Sequence, residues 1–339
     1  MSGSLCIAID MMGGDLGLRV TLPAVVATLS RHSDLNLVLV GDLEALRRDP
    51  LLPQDHPRVR LVGAEQAIGM DEKASKAARS RRRSSMAVAL QLLRDGAVGG
   101  VVSAGNTGAL LALGVTTLTR LPGIDRPAFC APWPTLNGFS YVLDLGANVE
   151  ASAQQLLQFA QMGSVLARVC DSIEHPRVAV LNVGTELGKG TERVQQAAEL
   201  LAATLGPAYV GFVEGDGLFE GRANVVVTDG FSGNIALKSA EGTARFMRKR
   251  LGAFVKQHPW RRLGLLLARP LLQPLLSEFD PQRYNGAMLL GLDGVVVKSH
   301  GHSSAESFAN AITYAVAAVR RKLPAAIAAE LAHSAAASH

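Results

Sequence analysis

Residues 101–108 read Val-Val-Ser-Ala-Gly-Asn-Thr-Gly and run straight into ALLALGVTTL at 109–118. An apolar β-branched run breaks into small polar residues and two glycines, then resumes with helix-like character. That is a strand, a tight loop and a helix in immediate succession. Gly105 and Gly108 let a backbone approach a ligand closely, and a helix starting near Thr107 would aim its free N–H groups at whatever sits at the strand end. Asn106 and Thr107 add side-chain hydrogen-bonding groups.

The same unit recurs on both sides of it. Short apolar runs rich in β-branched residues appear as LCIAI, NLVLV, VRLV, GVVSA, SYVLDL, RVAVLNV, YVGFV, NVVVT and GVVVK. Helix-compatible stretches such as SSMAVALQLLRDG and ERVQQAAELLAATLG lie between several of them. Strands alternating with helices imply right-handed crossovers and a mainly parallel sheet, and the near-continuous apolarity of the strands implies cover on both faces. The predicted class is α/β, one domain over 1–323.

The residues just after each strand point to function. The loops are DMMGGD, GD, SAGNTG, DLGAN, NVGTELGKG, VEGDG, TDGFSGN and KSHGHSS. In an open parallel sheet the carboxyl ends of the strands border one crevice. These loops are therefore expected to converge on a single anion site.

Several chemistries are excluded by pattern. NVGTELGKG is one residue short of a phosphate-binding G-x-x-x-x-G-K-[ST] loop, and Gly190 stands where a magnesium-binding hydroxyl would be. IDMMGGD lacks the dinucleotide fingerprint after its strand. There is no G-x-S-x-G elbow, and the histidines have no metal-binding spacing. Cys6, Cys130 and Cys170 show neither metal nor disulfide spacing, which fits a reducing compartment. The opening MSGSLCIAID does not read as a signal peptide, and no run approaches a membrane span. No metal, cofactor or nucleic acid is expected. A net charge of +5 admits an anionic protein, a phosphate or a lipid surface as partner without choosing among them.

Two stretches stand apart. From Gly242 to Ser277 there is no acidic residue but there are eight basic ones, and the stretch includes LGLLLARPLLQPLL. A helical projection over about 241–280 is predicted. It would lie on an anionic membrane or meet an acidic protein through Leu265, Leu266, Leu267, Arg261 and Arg262, and it would help form a dimer. The segment MDEKASKAARSRRRSSM is also basic, with Ser84 and Ser85 placed to start a helix. The alanine-rich tail, 324–339, is expected to be a frayed helix.

The blocks IDMMGGD, MDEK, SSMAVAL, VVSAGNTGALLA, LPGIDRPA, LDLGANV, GKG, TDGFSGNIALKSAEG and YNGAMLLGLDGVVVKSHG, in this order, resemble the PlsX phosphate acyltransferases of bacterial phospholipid synthesis over about Ile7 to Arg320. The chain departs from that pattern at Thr185 and Leu187, where the family usually has acidic residues, and at Met11, Leu18 and Ala74. The resemblance implies transfer of a long-chain acyl group from acyl carrier protein to inorganic phosphate. It also implies a doubly wound sheet like that of the isocitrate and isopropylmalate dehydrogenases, a cytoplasmic homodimer, and loose association with the inner face of the membrane, near a downstream membrane acyltransferase. A phosphotransacetylase-like enzyme using coenzyme A thioesters is the alternative, because both donors carry a pantetheine arm.

Strand-end position assigns roles within the single expected crevice. Asp10, Gly13, Gly14, Ser103, Gly105, Thr107, Gly108, Gly190 and Gly233 would bind phosphate or substrate. Asn106, Asn148 and Asn234 would donate hydrogen bonds, Lys189 would offset phosphate charge, Asp229 would orient a donor, and His300 would relay a proton. Phosphate is already an oxyanion and a thiolate leaves readily, so such an enzyme needs positioning and electrostatics more than a protein nucleophile.

Overall fold

The computed structural model describes residues 5–52, 56–256, 268 and 286–337. Its strands are β1 (Cys6–Asp10), β2 (Asn36–Gly41), β3 (Val59–Gly63), β4 (Gly100–Ser103), β5 (Ala128–Thr135), β6 (Gly138–Leu143), β7 (Val178–Leu181), β8 (Tyr209–Val213), β9 (Val225–Val227), β10 (Ala287–Leu290) and β11 (Val295–Lys298). Its helices are α1 (Leu18–Arg31), α2 (Leu43–Arg48), α3 (Ala74–Ser80), α4 (Ser85–Arg94), α5 (Thr107–Thr117), α6 (Ala153–Asp171), α7 (Glu192–Leu205), α8 (Gly230–Lys256), α9 (Ala305–Arg320) and α10 (Leu323–Ala337). Every apolar run singled out in the sequence overlaps a strand.

All the strands join one sheet in the order β3-β2-β1-β4-β11-β10-β5-β6-β9-β7-β8. Apolar side chains fill both faces. α1, α6, α7, α9 and α10 cover one of them. α3, α4, α5 and α8 cover the other.

The sheet is not parallel throughout. The pairs β11/β10, β10/β5 and β5/β6 are antiparallel. An odd number of reversals turns β6, β9, β7 and β8 against the direction of β3, β2, β1, β4 and β11. One row of paired residues crosses the sheet through Ile9, Val102, Val297, Met288, Cys130, Leu143, Val227 and Val180. β1, β4 and β11 each end one residue beyond that row, while β6 and β9 end on it. The carboxyl ends of the two halves therefore stop at one level of the sheet but point opposite ways. The loops after the strands therefore leave the sheet as two clusters, one from each half.

β5 carries Pro132 and Pro134 inside a strand. Beyond Ala131 it pairs with β6 alone, because β10 reaches only Cys130. Tyr141, opposite Pro132, sends its N–H to the Asn224 carbonyl on the far side at 2.8 Å. No ladder bond is asked of Pro132, as expected for proline on an open strand edge.

α8 runs from Gly230 to Lys256 and so takes in the start of the stretch expected to form a helical projection. Its continuation, with Arg261, Arg262, Leu265, Leu266 and Leu267, lies outside the described residues. The tail is a docked helix rather than a frayed one. Leu323, Ile327 and Leu331 recur at helical spacing and are buried in the face that holds α6, and Arg168 of α6 meets Glu330 at 3.0 Å.

Candidate functional site: two loop clusters joined by one helix

The first cluster is built around Asp10 at the end of β1. Its carboxylate is buried and accepts from the hydroxyls of Ser85 and Ser103, each at 2.6 Å, and from the Met12 N–H at 3.2 Å. Burial pushes this carboxyl up, and the hydrogen bonds from Ser103, Ser85, Met12 and Gly13 oppose it. Ser103 in turn accepts from the Gly105 N–H at 3.0 Å. A Cβ on Gly13 would lie 2.6 Å from Asp10 Oδ2 and 2.7 Å from the Gly105 nitrogen, so glycine is what lets these loops touch. Gly14 has φ +85 and lies against Ala104 and the Gly301 carbonyl, to which Asp15 donates at 3.1 Å. The loops after β1, β4 and β11 are thus sewn together.

Lys298 closes this floor. It ends β11 directly opposite Ser103 and is buried. Its ammonium donates to the Ser299 carbonyl. An ammonium has three donors, so two remain for a ligand. Burial lowers its pKa to about 8, helped by Lys238 and opposed by Asp10 and Asp15. Lys238 comes from α8 and pairs with Glu241 at 2.8 Å, and His300 Nε2 stands 3.9 Å from the same carboxylate. His300 and Lys238 hold Glu241 down at about 2 against partial burial. His302 meets Asp15 at 3.0 Å. His300 is therefore engaged with an acid at the rim of the cluster.

One expectation in SAGNTG needs correction. The Asn106 side chain is not a ligand donor. Its oxygen caps α5 by accepting from the Ala109 N–H at 3.0 Å, and its amide donates to the carbonyls of Met70 at 2.7 Å and Glu72 at 3.0 Å. Asparagine at an N-cap completes the helix start, and here it also pins the 69–72 loop. At Gly108 the missing side chain makes room for α3: a Cβ there would lie 3.0 Å from the Ala74 Cβ, where α3 packs on α5. Thr107, the first residue of α5, stays exposed at the positive end of the helix.

The second cluster centres on Asp144, just past β6. It is buried and accepts from the N–H groups of Phe129, Gly146, Ala147 and Asn148 at 2.9, 3.2, 3.0 and 2.6 Å. Burial raises its pKa and these bonds oppose the rise. The Asn148 amide donates to Asp144 at 2.9 Å and to the Pro127 carbonyl at 2.8 Å, so it is a brace of the loop. Asp229 accepts from the Ser232 N–H at 2.7 Å and so starts α8. Gly230 and Gly233 press that helix onto the loop; a Cβ on either would overlap the carbonyl oxygens of Asn148 and Asp144, respectively. Asn234 is exposed beside Gly146. The 184–190 loop is tied by the Asn182 amide, which donates to the carbonyls of Gly184 at 3.1 Å and Lys189 at 3.0 Å, leaving the Lys189 side chain exposed. Gly190 has φ +92, and a Cβ there would collide with Asn182. Arg193 at the head of α7 pairs with Glu150 at 3.0 Å, which holds this loop next to the one after β6.

Asp10, Gly13, Gly14, Ser103, Gly105, Asn106, Thr107, Gly108 and His300 thus gather in the first cluster. Asn148, Lys189, Gly190, Asp229, Gly233 and Asn234 gather in the second. α8 links them: it starts in the second cluster and brings Lys238 and Glu241 to His300 in the first. Sequence reasoning missed Lys298, Ser85, Lys238, Glu241 and Asp144. The loops KSHGHSS and DLGAN held the signal for Lys298 and Asp144, as charged residues at the ends of otherwise apolar strands.

The model of the family described as fatty acid synthesis protein matches residues 5–326. A phosphate acyltransferase of Alcanivorax borkumensis is 49% identical, the match covering 95% of this chain and 96% of that protein. One of Pseudomonas fluorescens is 50% identical over 94% of this chain and 95% of its own length. Among solved structures, a phosphotransacetylase from Streptococcus pyogenes superposes with a TM-score of 0.59 at 19% identity, covering 94% of this chain and 95% of that one. The EutD phosphotransacetylase from Staphylococcus aureus gives 0.58 at 16% identity, covering 94% of each chain. At such identities the structures speak for the fold alone, whereas the family model and the close relatives span nearly the whole chain. The chain belongs to the fatty acid synthesis protein family, that of the PlsX phosphate acyltransferases.

Proposed function

We propose that this protein transfers a long-chain acyl group from the thioester of acyl carrier protein to inorganic phosphate, giving an acyl phosphate for phospholipid synthesis. The observation that carries this reading is the buried Lys298 ammonium, set in a glycine-lined floor beside Lys238 and the head of α5. Among the described residues no carboxylate lies within ion-pair distance of Lys298. A buried cation of this kind is costly unless an anion completes it.

In the reaction a phosphate oxygen attacks the thioester carbonyl. The new C–O bond forms, the tetrahedral oxyanion collapses, and the C–S bond breaks. The thiolate leaves with the electron pair and takes a proton from solvent. Lys298, Lys238 and the free N–H groups around Thr107 offset the phosphate charge. Lys189 and Asn234 reach in from the second cluster toward the carbonyl, and His300 relays a proton at the rim. Asp10, Asn106, Asn148, Asp144 and Asp229 hold the loops in place.

No described helix is long and apolar enough to cross a membrane. Cytoplasmic residence, with contact at the inner face of the membrane through the segment containing Leu265, Leu266 and Leu267, belongs to this reading, as does proximity to a downstream membrane acyltransferase. A homodimer is supported by the exposed Phe246, Met247, Leu251 and Phe254 on the outer half of α8. The kinship of fold with isocitrate and isopropylmalate dehydrogenases is supported by the open, mostly parallel sheet covered on both faces.

The test incubates the protein with palmitoyl carrier protein and phosphate, with palmitoyl coenzyme A in parallel, and traps acyl phosphate as its hydroxamate. Faster formation from the carrier-borne donor is expected. Faster turnover of the coenzyme A thioester would replace this reading with the phosphotransacetylase-like one, and no acyl phosphate from either donor would end it.

A further inference from the structure

Between Lys73 and Arg83 the chain carries Lys73, Lys76, Arg79, Arg81, Arg82 and Arg83. The structure divides them. Arg81 is bound to Glu72 at 3.1 Å, and Arg83 to Glu65 at 3.1 Å. Lys73, Lys76, Arg79 and Arg82 are exposed and have no ion pair among the described residues. Lys73 is the N-cap of α3, and Lys76 and Arg79 follow at three-residue steps, the latter two about 4.5 Å apart along the helix axis. Like charges at that spacing repel one another and weaken a short helix. The arrangement has an energetic cost that an acidic partner would reverse.

The position of the row is as informative as its charge. α3 buries Ala77, rests Ala74 on Gly108, and comes after a loop that the Asn106 amide holds by its Met70 and Glu72 carbonyls. The row therefore stands beside the head of α5, at the mouth of the cluster that holds Asp10 and Lys298. Its surroundings are polar, with Met70 (36% exposed) the one large apolar side chain exposed from residue 65 to 85. The outer half of α8 is different: Arg245, Arg248, Lys249 and Arg250 alternate there with exposed Phe246, Met247, Leu251 and Phe254. Basic residues mixed with large apolar ones suit a lipid surface. A purely charged row suits a folded acidic protein, which it would recognise by electrostatic complementarity.

We infer that the exposed row Lys73, Lys76, Arg79 and Arg82 is the docking surface for the acidic carrier protein, placing its thioester arm over the Asp10–Lys298 cluster. This rests on the proposed reaction. It goes beyond it by assigning delivery of the donor to α3 rather than to Arg261, Arg262 and the leucines that come after them.

The test is the charge reversal Lys73→Glu/Lys76→Glu/Arg79→Glu, assayed with palmitoyl carrier protein and with palmitoyl pantetheine, which bears the same thioester without the protein. For the carrier-borne donor, kcat/KM should fall roughly 30-fold or more at low salt, within the range that electrostatic steering supplies, and its dependence on ionic strength should flatten. Turnover of palmitoyl pantetheine and the KM for phosphate should stay within about twofold. Equal losses with both donors would mean damage to the cluster, and an unchanged carrier kcat/KM would mean docking elsewhere; either overturns the inference. So would a variant that keeps carrier turnover but no longer floats with phosphatidylglycerol vesicles, since the row would then be a lipid contact. If neither donor reacts with wild type, the proposed reaction has failed. Fluorescence anisotropy of labelled palmitoyl carrier protein then decides docking by itself: binding to wild type and about tenfold or more weaker binding to the variant uphold it, and equal or absent binding overturns it.

Discussion

Replacing Lys298 with methionine should make the protein more stable at pH 7 and nearly inactive. Methionine keeps most of the length and flexibility of lysine while removing its charge. In the folded protein burial lowers the Lys298 pKa from 10.5 to about 8. Each pKa unit corresponds to about 1.36 kcal/mol, so a charged Lys298 costs the fold up to about 3 kcal/mol. The direction with pH comes from proton counts. Between about pH 8 and 10.5 the unfolded chain keeps the Lys298 proton and the folded chain has lost it. Stability contributed by this site therefore rises with pH through that window, and the full cost is present below pH 8. Urea unfolding of both proteins at pH 7 and 10.5 reads this directly. The variant should be more stable at pH 7, and wild type should recover most of the difference by pH 10.5. Acyl phosphate formation by the variant should fall about 100-fold or more, as when a well-aimed oxyanion donor is removed. A variant less stable than wild type at pH 7, with a stability difference that does not change with pH, would refute the reasoning.

Gly233→Ala should destabilise by ~1–3 kcal/mol, because its methyl would overlap the Asp144 carbonyl and push α8 off the loop. Gly242→Ala in the same helix, where nothing lies within 4 Å, should be neutral or stabilising by up to ~1 kcal/mol, and thermal unfolding compares the two. Glu241 is held at about 2, below its ordinary 4.5, so it contributes stability above pH 4.5 that is lost as pH falls toward 2. Wild type and Glu241→Gln should differ by about 1–2 kcal/mol at pH 6, after allowing for solvent screening of a half-open site, and urea titrations should show the difference vanishing toward pH 2.

The strands were legible because burial on both faces leaves no polar alternation to confuse. β5 and β10 were not. Pro132 and Pro134 hide β5 from any strand pattern, and the AMLL of β10 is too short to stand out. With them went the reversal of the sheet, although Asn137-Gly138 and Asp293-Gly294 are hairpin signals in plain view. That omission is why the division of the loops into two clusters was not foreseen. Asn106 reads equally as a ligand donor and as a helix cap, and only the Ala109, Met70 and Glu72 contacts decide between them. Lys298 stands out in the sequence as a charge ending an apolar strand, but its burial does not, because a lysine at a strand end can turn outward as readily as it can be buried. In the tail, alanine content suggested fraying, while the spacing of Leu323, Ile327 and Leu331 already described a docked face.

α8 also behaves as a gauge. Gly233 fixes it to the Asp144 loop, and Glu241 fixes it at His300. The rise between those two anchors is about 12 Å, at 1.5 Å per residue. The segment therefore sets the stride between the clusters, and any molecule touching both must match it. Adding or removing one residue between the anchors would change that length by ~1.5 Å and rotate everything beyond by about 100°. Lys238 and Glu241 would then face away from Lys298 and His300. Side chains along this stretch have latitude, but its length has none.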